Sequence, residues 1–309
     1  MVIRPRALLR GATIGICAPA GPVERDVLER ELAALEAQGF RLRIAPHVHA
    51  REAFLAGSDD DRLTDLTALL RDPDVGAILA ARGGWGVGRI LARLDPAEWR
   101  EKRKLVIGYS DITSLQIFLL QHAGLASIHG PMLQRDDTPP EARERLFALA
   151  SGEAPGIEPL VGRAMQGGEA EGRLVGGNLT VVCSTLGTPF EIDTRGAVLF
   201  LEDIAAQPYA IDRHLRQLRA AGKLDDLVAV ALGQFVNCES WKYPEMAACD
   251  VLRENLAEVV RGPVVYDLPF GHVADNRALP YGTRARVSAA GASDEGRLEL
   301  LEAVVEESI

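Results

Sequence analysis

The sequence predicts an α/β protein with an N-terminal, Rossmann-like parallel-sheet domain and a C-terminal domain of mixed α/β character. Three observations carry this. Short continuous apolar runs alternate with segments of helical period through the first half, the signature of parallel strands covered on both faces. A Gly- and Pro-rich stretch follows between residues 151 and 170, and beyond it strand-like runs and amphipathic segments continue without a repeat. The expected domains are 1–155 and 170–309, joined by that stretch.

Residues 13–17 read as a buried first strand. Residues 24–38 follow as a helix with Leu28, Leu32 and Leu35 on one stripe and Gly39 just past its end. Residues 41–44 form strand two. Residues 60–71 place Leu63, Leu66 and Leu70 at helical spacing before Asp72-Pro73 stops the helix. Strands are predicted at 75–80 and 104–107, and helices at 114–122 and 141–150. In the second half, strands are expected at 197–201, 227–232, 264–266, 285–289 and 298–304, and helices at 178–186, 209–220 and 243–259.

The chain has 309 residues and a formal net charge of -10. That charge argues against a nucleic-acid partner, which calls for a basic patch, and favours a small substrate. No apolar segment approaches the roughly 20 residues a spanning helix requires, so no membrane partner is expected. Arg4, Arg6 and Arg10 precede an apolar run that imitates a signal peptide, but the run is short and punctuated by glycine, as a first strand would be. Cys17, Cys183, Cys238 and Cys249 form no C-x-x-C pair and read as reduced thiols, which predicts a cytoplasmic protein.

The chemistry centres on Gly108-Tyr109-Ser110-Asp111, where an apolar strand delivers a serine into the first turn of a helix. Such a turn exposes a nucleophilic Oγ while backbone amides point at the same spot. Ile112 stands where the second glycine of a G-x-S-x-G elbow would be, and a serine that merely caps the helix is the alternative. A serine nucleophile needs a base and a group to orient that base. His47, His49, His122, His129 and His214 suit surface or packing roles, whereas His272 starts a loop bounded by Pro269 and Gly271. Glu202 and Asp203 end an apolar strand, where a carboxylate needs a partner or a set of amides to cap. Arg82-Gly83-Gly84-Trp85-Gly86 fails the dinucleotide register, because Arg89 stands where the third glycine belongs. Its glycines suit an oxyanion donor complementing the Asp111 amide, with a plain tight turn as the alternative.

These stretches, with Ala18-Pro19-Ala20-Gly21 and Gly176-Gly177-Asn178-Leu179-Thr180, resemble the LD-carboxypeptidase family of serine peptidases, which includes the microcin-C immunity peptidases. The resemblance implies a Ser110, Glu202, His272 triad, its nucleophile on the N-terminal domain and its partners on the C-terminal one. The oxyanion hole is then expected from the Gly84 and Asp111 amides of those two turns, with no metal and no cofactor. The resemblance implies release of D-alanine from murein tetrapeptide in cytoplasmic cell-wall recycling, by a homodimer. Arg82 is the candidate for the substrate's free carboxylate, beside Trp85 as a further substrate-binding residue; the alternative is an arginine lying over Trp85. Immunity-type members hydrolyse an aminoacyl-nucleotide toxin and carry a tryptophan that stacks on its base. No tryptophan lies between Gly176 and Glu202, and Gly187-Thr188-Pro189-Phe190-Glu191 resembles the murein branch, although Trp241 remains available. From another class, a nucleotide- or sugar-binding protein would use Ser110 and the glycines to hold a phosphate.

Overall fold

The computed structural model describes residues 2–306 apart from 136, 155, 241, 258 and 293, so Trp241 lies outside the described residues. The chain divides into two compact units. The first runs through Glu153 and takes back Ala278–Tyr281 and the described residues from Ala303 on. The second holds Ala154–Arg277 and Gly282–Glu302.

The first unit is built on five parallel strands, β1 (Thr13–Cys17), β2 (Arg41–Ile44), β3 (Val75–Ala80), β4 (Leu105–Gly108) and β5 (Ser127–His129). Their order is β5-β4-β3-β1-β2, a doubly wound arrangement whose order reverses between β1 and β3, where ligands of such sheets bind beyond the strands' carboxyl ends. Every residue of β1 and β4 is buried, because helices cover both faces, whereas β2 is an exposed edge. Helix α1 (Arg25–Ala37) buries Leu28, Leu32 and Leu35 on one stripe and ends before Gly39 in the left-handed region. Helix α2 (Asp59–Arg71) starts at a capping box: Ser58 Oγ accepts the Asp61 N–H and Asp61 accepts the Ser58 N–H, both at 3.1 Å. Two short helices, α3 (Val87–Ile90) and α4 (Pro96–Lys102), precede β4.

The helix expected at 114–122 is α5 (Thr113–Phe118), which widens into a π-type turn at Leu119–Ala123. Helix α6 is Pro140–Ser151.

The second unit corrects three expectations. The stretch expected to connect the domains, 151–170, instead holds barrel strand β6 (Leu160–Gln166) and the start of β7 (Gly168–Asn178). Their glycines are packing glycines: a Cβ on Gly176 would overlap the Phe200 carbonyl across the β7–β8 pair. With β8 (Ala197–Ile204), β9 (Ala229–Val236), β10 (Val264–Tyr266), β12 (Arg284–Ala289) and β13 (Glu295–Leu300), they close a barrel in the order β10-β6-β13-β12-β7-β8-β9. The pairs β7–β8, β8–β9 and β9–β10 are parallel and the remainder antiparallel. Three helices accompany it: α7 (Leu179–Ser184), α8 (Pro208–Ala220) and α9 (Ala248–Ala257), the last shorter than the expected 243–259.

The third correction concerns the boundary itself. Residues 170–309 do not form one body, because β11 (Leu279–Tyr281) returns to pair antiparallel with β5 at the edge of the first sheet. Pro280 is tolerated there because an edge strand can spare one donor.

Candidate active site

Ser110 follows β4 and has φ +62, a left-handed backbone that a non-glycine residue holds only where its surroundings impose it. A strand, a strained serine and a short helical turn at Ser110–Ile112 have the geometry of an elbow that can expose a nucleophile. Gly108 permits it: a Cβ there would lie 2.9 Å from Ile112 Cγ1, so the first glycine gives Ile112 the room that the common elbow gives its second.

The glycine turn after β3 lies against this serine. A Cβ on Gly83 would stand 2.8 Å from Ser110 Cβ and 3.0 Å from its Oγ, so only glycine fits. Gly84 (φ +104) and Trp85 are exposed at the tip of the turn. The Gly83 N–H donates to Gln134 Oε1 (3.2 Å) and its carbonyl accepts the Gly21 N–H (2.8 Å). Arg82 donates to the Pro22 carbonyl at 2.5 Å, tying the loop after β1 to the turn. Asp111 is almost fully buried and accepts the Val87 N–H at 2.8 Å. Burial pushes its carboxyl up to about 6, against the opposing pull of the Val87 and Gly86 amides and the Arg62 guanidinium.

In the second unit, His272 Nδ1 lies 2.6 Å from Glu202 Oε2. Glu202 has no exposed surface and His272 little. An Nδ1–H donated to the carboxylate fixes the tautomer and leaves the basic lone pair on Nε2. Glu202 sits inside β8 rather than at its end. The β8–β9 register slips between Leu201 and Asp203, which gives β9 an extra residue opposite it. Asn178, its partner on β7, donates to Glu202 Oε1 (3.3 Å) and Asp203 Oδ1 (3.0 Å). Asp203 also accepts the Thr180 N–H (3.0 Å) and hydroxyl (2.7 Å), so the neighbouring carboxylate is a cap. His272 is delivered by Gly271 at φ +111, where a Cβ would lie 2.8 Å from Glu202 Oε2. The Arg277 amide closes this loop on the Pro269 carbonyl at 2.8 Å.

A second carboxylate–imidazole pair exists. His47 Nδ1 is 2.8 Å from Asp65 Oδ1, and that hydrogen bond raises its pKa. It follows edge strand β2, which the sheet order puts three strand spacings from β4, about 14 Å, too far to serve Ser110. His129 is buried with Nδ1 3.2 Å from Gln116 Oε1, and burial lowers His214 and His49. Sequence patterning does not single out Gln134 or Arg62. Their partners are 51 and 43 residues away, and neither belongs to a motif. Among the described residues no group of three His, Cys, Asp or Glu side chains is set to hold a metal ion, and no helix is long and apolar enough to cross a membrane.

Known proteins share this fold. Residues 14–130 match the LD-carboxypeptidase N-terminal domain and residues 171–287 the LD-carboxypeptidase C-terminal domain. A probable murein peptide carboxypeptidase of Bacillus subtilis is 39% identical, covering 93% of this chain and 92% of its own. A murein tetrapeptide carboxypeptidase of Pseudomonas aeruginosa is 35% identical over 88% of this chain and 92% of its own. The crystal structure of muramoyltetrapeptide carboxypeptidase from Oxalobacter formigenes superposes with a TM-score of 0.83 at 30% identity, covering 94% of this chain and all of that one. MccF in complex with glutamyl sulfamoyl guanosine superposes at 0.85, covering 98% of this chain and all of that one, but at 20% identity that likeness concerns the fold. The two domain matches together span well over half of the chain, and the chain belongs to the LD-carboxypeptidase family of serine peptidases.

Proposed function

We propose that this enzyme releases the terminal D-alanine of murein tetrapeptide, with Ser110 as nucleophile, His272 as general base and acid, and Glu202 as the group that orients His272. The observation that carries the chemistry is the left-handed backbone at Ser110 beside the glycine turn; the substrate class is supported by the names of the relatives above. Ser110 Oγ attacks the carbonyl carbon of the scissile amide while its proton passes to His272 Nε2. The Gly84 and Asp111 amides receive the oxyanion, where one comparable donor is typically worth about 3 kcal/mol of barrier. The C–N bond breaks as His272 protonates the departing amine, and water then hydrolyses the acyl-enzyme by the same path. Arg82 is assigned to the substrate's terminal carboxylate and Trp85 to an apolar wall beside it.

We assign the activity to the cytoplasm and to a homodimer, as the resemblance implies. Four free thiols, three of them buried, fit a reducing compartment.

The test is incubation with murein tetrapeptide and detection of free D-alanine by mass, with an aminoacyl sulfamoyl nucleotide as a second arm. D-alanine release that Ser110→Ala lowers by about 10⁴-fold or more supports the reading. Turnover of the nucleotide alone would move the protein to the immunity branch. No turnover, with no labelling of Ser110 by a fluorophosphonate, would leave a binding protein.

A further inference from the structure

The two side chains that flank Ser110 in sequence reach opposite ends of the glycine turn. On one side the Tyr109 hydroxyl accepts from Gln134 Nε2 at 2.7 Å, and Gln134 Oε1 accepts the Gly83 N–H at 3.2 Å. On the other, Asp111 Oδ2 accepts the Val87 N–H at 2.8 Å. The Gly86 carbonyl, just inside that second anchor, accepts from Arg62 Nη1 at 2.8 Å, and the same nitrogen donates to the Pro19 carbonyl at 2.8 Å. Arg62 is itself fully buried and paired with Asp59, which also takes Arg89 at 2.8 Å. The turn between these anchors has no side chain at Gly83, Gly84 or Gly86 with which to hold its own shape. Only Trp85 carries one, and it faces solvent.

The strand end that supplies the nucleophile thus also supplies both anchors of the turn. We infer that the side chains of Tyr109 and Asp111 are positioning residues for the reaction: through Gln134 and directly, they clamp the glycine turn at a set distance from Ser110 Oγ, so that nucleophile and oxyanion donors are placed as one unit. Asp111 then has a role for its carboxylate beyond that of its backbone amide. The inference rests on the reading of Ser110 as the nucleophile. Its chemical logic is that an oxyanion hole acts only if its donors are preorganised, and a displacement of about 1 Å is enough to lose 10²-fold in rate. A buried acid held partly against its desolvation cost is the kind of group found where geometry serves chemistry rather than stability.

The test compares Asp111→Asn, Tyr109→Phe and Gln134→Leu with wild type and Ser110→Ala. It reads kcat and KM for D-alanine release and the rate at which a fluorophosphonate, whose phosphoryl oxygen occupies the same donors, labels Ser110. Asp111→Asn preserves shape but turns one acceptor oxygen into a donor facing the turn's amides. The expected result is a fall of about 10- to 100-fold in kcat and in labelling rate, with KM within about twofold. Tyr109→Phe, which loosens the other end by one neutral hydrogen bond, and Gln134→Leu, which removes both bonds of that anchor, should each lose at least about 3- to 10-fold in the same two readouts. A folded Asp111→Asn with kcat and labelling within twofold of wild type, or with KM raised and kcat unchanged, would overturn the clamp. If Asp111→Asn does not fold, the other two variants decide by the same pattern. Turnover retained by Ser110→Ala would instead remove the nucleophile reading itself. An inactive Ser110→Ala beside three normal variants would remove the clamp alone.

Discussion

Single atoms decide the site at the residue scale. Gly271 shows this most directly: its φ of +111 belongs to glycine, and a Cβ would press on Glu202 Oε2 at 2.8 Å. Gly271→Ala should therefore displace the carboxylate from His272 and lower turnover by at least about 10²-fold. The circular dichroism spectrum should remain that of the native protein, and activity within twofold of wild type would contradict the account. Asp111 makes a second prediction, in pH. Its folded-state pKa is raised from 3.8 to about 6 by burial, so the native state holds the proton to higher pH than the unfolded chain does. The associated stability is fully present below about pH 4 and is lost as pH rises through about 6, a change of about 3 kcal/mol. Asp111→Asn removes that titration. Denaturant midpoints taken from pH 4 to pH 7 should shift in the variant's favour by about that amount, and parallel profiles would refute the assignment.

At the scale of elements, strands stop where chemistry starts. The carboxyl ends of β1, β3 and β4 bring the loop at 18–21, the glycine turn and Ser110 to one rim of the sheet, as the switch point between β1 and β3 requires. Helix α2 contributes from its first turn, because Asp59 and Arg62 sit directly behind the capping box at Ser58. Ser58→Ala removes the cap from the Asp61 amide and should cost about 1 kcal/mol in thermal or denaturant unfolding; an unchanged midpoint would show the box to be idle. In the barrel, the register slip beside Glu202 sets an extra residue of β9 against β8, whose residues up to Leu201 are all apolar.

On the scale of the whole molecule, sequence order and unit membership diverge. The first unit is completed by residues that come after the barrel: β11 covers the open edge of β5, and Val304 and Val305 are fully buried. Glu306 donates its amide to the Pro5 carbonyl and pairs with Arg103 at 2.7 Å. Deleting residues 303–309 should thus destabilise the first unit, although the deletion lies far from Ser110 in sequence. Burial of two valines is worth about 3 kcal/mol or more, and a wild-type unfolding curve for the truncated protein would show that this tail is dispensable.

The alternating βα half, the strand-to-helix turn at Ser110 and the glycine turn are legible in the sequence alone, and its resemblance points to Glu202 and His272, which the structure pairs at 2.6 Å. These are local signals: a buried parallel strand is a continuous apolar run, and an amphipathic helix writes its period into a dozen residues. Tertiary structure alone decided the rest. In sequence β6 and the start of β7 resemble a connection because Gly162, Gly167 and Gly168 punctuate them. Those glycines answer to close approaches by residues such as Tyr266, Gly291 and Pro263, which no local window contains. The three-residue β11, with a proline at its centre, carries no strand signal; its pairing with β5 depends on where the chain returns. The roles of Gln134 and Arg62 were equally hidden, since a buried polar side chain is defined by the partner that satisfies it, and here those partners arrive from strands and turns tens of residues away.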